Sequence, residues 1–474
     1  IDPWPKWSAT GTSNTRYIEP DLFLRFQEFD LIIIGTGSGN SIINPDFDDW
    51  NIAIVERDVF GGTCLNRGCI PSKMFVYAAD MVQHTNHSSS VGVDLSVDDV
   101  RWSDIVERVF GRIDPIAQGG DDYREGLDNV TVIRGDATFV GHKVLSVDGV
   151  KITAPNIVLA AGARVHQPHV PGIENVNYHT SDDVMRLSEL PERMVILGGG
   201  FIAAEMGHVF DSLGTDVTIV ARSAPLLRAE DFEVADRFTE VTSERMSVRL
   251  SSQITGVNQQ GDTITVAFEG EEDLECDVLL VATGRTPNGK QLGVEATGVL
   301  LDDSGYVITN ATMNTNVEGI WALGDISNKA QLKHTANAEA VVVAHNIAHP
   351  DDLHQVDLWP IPHAVFGSPQ IASVGVTEQA LKEAGTPYLV KVQNYGDVAY
   401  GWAMEDTSGF CKLLADPDTR LLLGAHIIGP QASTLIQMLI QGMKFGLTVD
   451  QMATGQLWIH PALSEVVENA LLGL

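Results

Sequence analysis

At 474 residues, 44% of them hydrophobic, the chain is long enough for two or three domains and has the composition of a globular enzyme. A formal net charge of −33 speaks against nucleic acid or an anionic membrane as partner, because phosphate contact needs clustered Lys and Arg. No apolar run reaches membrane-spanning length and no basic-then-apolar leader is visible, so a cytoplasmic setting is expected.

Residues 1–29 are set aside as an extension. From residue 30 onward, strand-like apolar runs alternate with helix-like stretches, which points to an α/β architecture. The run ending at Ile34 leads into Gly35-Thr36-Gly37-Ser38-Gly39-Asn40. In a dinucleotide-binding turn the first glycine permits the tight bend and the second lets the backbone approach a pyrophosphate. The third position stays small for helix–strand packing, and the helix N-terminus stabilises phosphate charge. Gly35 and Gly37 fit this scheme, while Asn40 occupies the usual third-glycine place and Gly39 is expected to compensate. A second strand, 51–55, ends in Glu56, 21 residues after Gly35, where an acid hydrogen-bonds an adenosine ribose.

A second turn of the same kind begins about 165 residues later, with Gly198, Gly200 and Ala203 after the strand 194–197. Its following strand, 216–220, ends in Ala221-Arg222, with Arg228 further on. A carboxylate there would repel a ribose 2′-phosphate, whereas arginines pair with it, so NADPH is expected in preference to NADH. Phe201, just past this turn, is either a cover for the nicotinamide pocket or a core aromatic. After Pro360, strands are expected at 364–366, 371–376, 410–414 and 421–428, with helices from Thr377, at 432–445 and at 462–472. The whole divides into 30–165 and 286–358 (FAD-binding), 166–285 (NADPH-binding) and 359–474 (dimerisation).

The chemistry is expected in Gly61-Gly62-Thr63-Cys64-Leu65-Asn66-Arg67-Gly68-Cys69-Ile70-Pro71-Ser72-Lys73. Two cysteines so spaced at a helix start can reach disulfide distance, and the helix N-terminus favours thiolate. A zinc site would need a second ligand pair, which is not found among the cysteines. Cys276 and Cys411 stand alone among apolar residues and read as small core side chains.

This segment resembles the redox-active helix of the pyridine nucleotide–disulfide oxidoreductases, the family of glutathione reductase and dihydrolipoyl dehydrogenase. Further resemblances stand in order along 30–474: Ala282-Thr283-Gly284-Arg285-Thr286-Pro287-Asn288, then Gly319-Ile320-Trp321-Ala322-Leu323-Gly324-Asp325, then His460-Pro461-Ala462-Leu463-Ser464-Glu465. Segments 109–116, 395–409 and 458–473 are most similar to the branch of the family that reduces mycothione, and Asn40 belongs to the same pattern.

The resemblance implies two dinucleotide-binding domains of Rossmann type and a C-terminal α+β dimerisation domain. It implies FAD held by Gly35, Gly37, Gly39, Asn40, Glu56, Gly62, Thr63, Gly162, Gly324 and Asp325. NADPH would be held by Gly198, Gly200, Ala203, Arg222, Arg228 and Gly284. It implies Cys64 as the interchange thiol, Cys69 as the thiolate beside the flavin, and Lys73–Glu205 as an ion pair near the flavin. His460, oriented by Glu465, would act as acid and base from the partner subunit of a homodimer. The alternatives are an NAD-dependent dihydrolipoyl dehydrogenase, a reductase of bis-γ-glutamylcystine or glutathione disulfide, and a flavoprotein without disulfide chemistry. Arg222 argues against the first; Cys64, Cys69, His460 and Glu465 together argue against the last.

Overall fold

The computed structural model describes residues 26–474. Short strands fully buried on both faces dictate a parallel sheet covered by helices. Leu31–Ile34 is such a strand, and it forms the middle of a five-stranded parallel sheet ordered Ile320–Ala322, Asn156–Leu159, Leu31–Ile34, Ile52–Glu56, Val130–Arg134. A second sheet repeats that design around Arg193–Leu197, in the order His179–Thr180, Val278–Val281, Arg193–Leu197, Asp216–Ala221, Ser247–Leu250. Each has a small antiparallel sheet inserted before its returning strand: Ala137–Gly141, Val144–Val147 and Val150–Thr153 in the first, Ile254–Gln260, Thr263–Phe268 and Leu274–Cys276 in the second. The second unit lies in sequence between Asn156–Leu159 and Ile320–Ala322, so the chain leaves the first sheet and returns to complete it.

The boundary near residue 29 shifts slightly. Gln27 and Glu28 pair in parallel with Ile152 and Thr153, and Phe29 is buried in the first unit's core, so described structure begins before Asp30. Residues 1–25, most of the expected extension, lie outside the described residues.

The C-terminal part is an antiparallel sheet ordered Pro362–Val365, Ile371–Gly375, Leu422–Ile428, Phe410–Ala415, Leu389–Asn394. Leu389–Asn394 is an edge strand that the hydrophobic pattern did not announce, because only one of its six residues is fully buried. Helices Ala432–Lys444 and Ser464–Leu472 cover the sheet. The expected start at Thr377 is present: its side chain accepts from Ala380 N and caps helix Glu378–Ala384. Cys276 and Cys411 are fully buried, and burial pushes the Cys276 thiol up to about 11, so both pack as inert apolar groups. Among the described residues no helix is long and apolar enough to cross a membrane.

Candidate active site

The first glycine turn shows why its residue types are needed. Gly35 has φ +102°, and a Cβ there would stand 2.4 Å from the Ala160 carbonyl oxygen. Gly39 takes the packing role of the third glycine, since its Cβ would lie 2.7 Å from that of Ala160. Asn40 is instead tied down by Arg124, whose Nε donates to its Oδ1 at 2.7 Å and whose guanidinium donates to its carbonyl at 2.8 Å. Neither Gly39 nor Asn40 is among the residues lining the cleft, so both shape the turn from behind.

One continuous cleft runs from the end of strand Ile52–Glu56, past Gly35–Ser38, to the two cysteines. Glu56 lines it and holds the turn together: Oε2 accepts from Thr36 N at 3.0 Å and Thr36 Oγ1 at 2.6 Å, while Oε1 accepts from Arg57 N and Asp58 N. Gly62, Thr63, Gly162, Gly324 and Asp325 also line the cleft. The Asp325 carboxylate makes no hydrogen bond among the described residues, and burial raises its pKa despite Arg285 nearby. An unpartnered carboxylate facing a cleft this long suits a ligand with hydroxyl donors, as the sugar-alcohol chain of FAD would supply. Two residues here carry no local sequence signal, Lys333 in the cleft wall and Glu339 behind it. Lys333 donates to Ser38 Oγ at 2.8 Å, and buried Glu339 anchors the motif around Asp325 by accepting from Gly324 N at 2.6 Å. Both reach the site across sequence separations that no local motif reveals.

Cys64 sits in the short helix Gly62–Asn66 and Cys69 opens the long helix Cys69–His87. Both are free thiols, close enough that hydrogen bonding between the two sulfurs dominates their ionisation. That bond, with the Lys73 ammonium adding to it against burial, brings Cys69 down to about 7. The same bond, then burial, pushes Cys64 well above the usual thiol range. The pair therefore shares one proton, with thiolate on Cys69 and thiol on Cys64. Above pH 7 the reduced protein should expose a Cys69 thiolate, and below it a thiol. Anaerobic alkylation of Cys69 is expected to accelerate through an apparent pKa near 7, and Lys73→Met to move that midpoint upward; a rate flat between pH 6 and 8 would contradict it.

One turn on, Lys73 Nζ donates to both carboxylate oxygens of Glu205 at 2.7 Å, and Glu205 Oε1 also accepts from Phe366 N. Glu205 is buried, so the pair is a structural join between helices Cys69–His87 and Phe201–Leu213 as well as a feature of the cleft wall. Arg67, between the cysteines, also lines the cleft and pairs with Asp58 at 2.5 Å. Phe201 is half exposed and lines the same cleft, so it is not a core aromatic.

At the second turn, Gly200 caps helix Phe201–Leu213 with nothing within 4 Å of a Cβ placed on it, and Ala203 is buried beneath. Gly198 abuts the Ala282 carbonyl, and Gly284 takes φ +117°. Arg222 and Arg228 are exposed and form no ion pair among the described residues, which leaves two free guanidinium groups in a strongly acidic protein.

His460 and Glu465 are together but apart from the cleft. His460 Nδ1 bonds Glu465 Oε1 at 2.7 Å, and Glu465 Oε2 accepts from Ala462 N. The bond from His460 holds the Glu465 carboxyl below its ordinary value. The His460 side chain is 72% exposed and is absent from the cleft lining of its own chain. Leu457 and Ile459 beside it are 99% and 75% exposed. An aligned imidazole presented to solvent among bare apolar side chains is what a subunit contact would cover.

Comparison with known proteins agrees with this geometry. Residues 29–340 match the family model "Pyridine nucleotide-disulphide oxidoreductase", and residues 361–471 match "Pyridine nucleotide-disulphide oxidoreductase, dimerisation domain". The chain is 49% identical over 458 residues to mycothione reductase of Mycobacterium tuberculosis, covering 94% of this chain and 100% of the relative. It is 33% identical to mercuric reductase of Staphylococcus aureus, over 91% of this chain and 80% of that one. Among solved structures, the HOCl-induced flavoprotein disulfide reductase RclA of Escherichia coli superimposes with a TM-score of 0.83 at 26% identity, covering 94% of this chain and 99% of that one. The chain therefore belongs to the pyridine nucleotide–disulfide oxidoreductases: it is an FAD- and NAD(P)H-dependent disulfide reductase with the family's dimerisation domain.

Proposed function

We propose that the protein reduces mycothione to mycothiol with NADPH, as a homodimer in the cytoplasm, through Cys64 and Cys69 and with His460 of the partner subunit. The observation that carries this reading is the pair of free thiols, Cys64 and Cys69, set in the wall of the same cleft that Asp325 and the Gly35 turn line. The 49% identity to a mycothione reductase supports the choice of disulfide. The division into 30–165 with 286–358, 166–285 and 359–474 is the domain assignment that accompanies it.

The bound flavin would supply the two electrons, taken as hydride from the nicotinamide, that keep the cysteine pair reduced. The rest falls to the chain. Asp325 and the Gly35–Ser38 turn would hold the cofactor's polar chain, and Arg222 and Arg228 the 2′-phosphate of NADPH. Cys64 cannot ionise unaided while it donates to Cys69, so attack on the substrate requires a base. His460, its Nδ1 engaged by Glu465, presents Nε2 for that proton. The Cys64 thiolate then displaces one thiolate of the substrate and forms a mixed disulfide, and the imidazolium returns its proton to the leaving sulfur. Cys69 attacks the Cys64 sulfur, releases the second thiolate and closes the Cys64–Cys69 disulfide. Lys73 stabilises the Cys69 anion in the interval.

The test is NADPH-dependent turnover of mycothione, glutathione disulfide, bis-γ-glutamylcystine and lipoamide side by side. Mycothione should give the highest kcat/KM; lipoamide as clearly the best substrate would overturn the reading. Replacing Arg222 and Arg228 together by Ala should raise KM for NADPH about tenfold or more and leave NADH nearly unaffected. Equal effects on both nucleotides would remove the arginines from 2′-phosphate recognition.

A further inference from the structure

We propose that His345, Asp352 and His354 form a binding site for one divalent transition cation at the turn between the flavin-binding sheet's last helix and the C-terminal sheet. The site lies outside the cleft and none of its residues takes part in disulfide reduction.

Three ligand atoms converge there. His345 Nε2 and His354 Nε2 stand 3.6 Å and 3.8 Å from Asp352 Oδ2, and the donor atoms of all three lie within 4.8 Å of one another. Metal–nitrogen bonds of about 2.0–2.1 Å put the corners of a tetrahedral site about 3.3–3.4 Å apart, so only a small contraction is needed. Two imidazoles and a carboxylate favour Zn²⁺, Ni²⁺ or Cu²⁺ over the all-oxygen cations Mg²⁺ and Ca²⁺. Water would complete the fourth position.

The turn is built to hold these groups near one another. His345 lies in the last turn of helix Lys333–Ala348, and the chain reverses at 349–353. Asn346, fully buried, clamps the returning strand: its Nδ2 donates to the His354 carbonyl at 2.9 Å and its Oδ1 accepts from His354 N at 2.7 Å. The same Nδ2 reaches the Thr312 carbonyl, which fixes the clamp to the body of the protein. The His354 and His345 rings are stacked, with centroids 3.6 Å apart, and His349 also stacks on His345, at 4.6 Å. Coordination would fan the His345 and His354 rings apart, a rotation open to His354, whose side chain is 55% exposed. It would also exchange the His345 Nε2 bond to the Asp352 carbonyl for a bond to the ion, on a residue already facing water. The ion would cross-link the helix end to the segment entering the C-terminal sheet.

The experiment is equilibrium dialysis of untagged, oxidised holoenzyme against Zn²⁺, with the metal counted per chain. Oxidation keeps Cys64 and Cys69 in their disulfide, so the redox pair does not compete. Wild type should bind one Zn²⁺ per chain, and His354→Gln or Asp352→Asn should weaken that binding at least tenfold while disulfide reduction stays unchanged. Both positions are exposed, so folding is not at stake; unaltered melting of the metal-free variants checks this. Wild-type affinity in both variants, or no stoichiometric binding by wild type, would overturn the proposal.

Discussion

Cys64→Ser should abolish disulfide reduction, with a loss of about 10³-fold or more in kcat, while anaerobic NADPH still bleaches the bound flavin. The serine hydroxyl is nearly isosteric but does not ionise at working pH. It therefore neither attacks the substrate sulfur nor forms the mixed disulfide. Folding is not expected to suffer, because Cys64 is only partly buried and sits in a five-residue helix whose glycine neighbours set the backbone. Cys69→Ser should be nearly as damaging for a different reason. It leaves Cys64 without the thiolate that resolves the mixed disulfide, so the enzyme should stall after releasing one substrate thiol, with the other still attached to Cys64. Mass spectrometry would find that adduct on the Cys69 variant and not on the Cys64 variant. The two outcomes together separate the attacking sulfur from the resolving one; an adduct on the Cys64 variant would reverse the assignment.

His460→Gln is expected to lower kcat for the disulfide by about 10²–10⁴-fold, the usual range for a lost acid–base group. The pair of pKa directions explains why the effect should be large. Cys64 is held protonated by the anion it donates to, so no spontaneous thiolate compensates for the missing base. Glu465→Gln should cost less, because it removes the charge that orients the ring and leaves the imidazole in place. Its signature should be a fall in kcat with KM for the disulfide unchanged, because the ring loses the partner that aligns its Nδ1 but keeps the nitrogen that meets the substrate. A kcat equal to wild type would mean that Glu465 does not position the imidazole. Since the His460 ring is largely solvated in the single chain, neither change should disturb the melting temperature of the subunit core.

Much of this site was legible in the sequence because it is encoded locally. Glycine turns, the short buried strands and the cysteine helix each declare themselves within about ten residues. The limits fall where residues meet across the fold. Asn40 reads as a departure from the glycine pattern, yet it is held by Arg124, 84 residues away, while Gly39 supplies the missing close approach. Lys333 lines the cleft, and Glu339 backs it, from a helix with no motif of its own. Lys412 is another case: a fully buried cation inside an apolar strand, paired with Asp231 and Glu378 from two other elements. A strand pattern shows nothing of that network, which joins the second nucleotide-binding unit to the C-terminal sheet. His345 and His354 likewise look unrelated until the Asn346 clamp folds one back on the other. Gln27–Glu28 joined a sheet because their backbone found an open edge, not because their side chains call for burial.

The most direct test of the account is a mixed dimer assembled from one Cys64→Ser chain and one His460→Gln chain, isolated through two different affinity tags. If each site is built from Cys64 of one subunit and His460 of the partner subunit, one site of the mixed dimer is intact and the other lacks both groups. The account predicts about half of the wild-type specific activity in disulfide reduction, from two parent homodimers that are each nearly inactive. A mixed dimer as inactive as its parents would place Cys64 and His460 of the same chain in one site and contradict it.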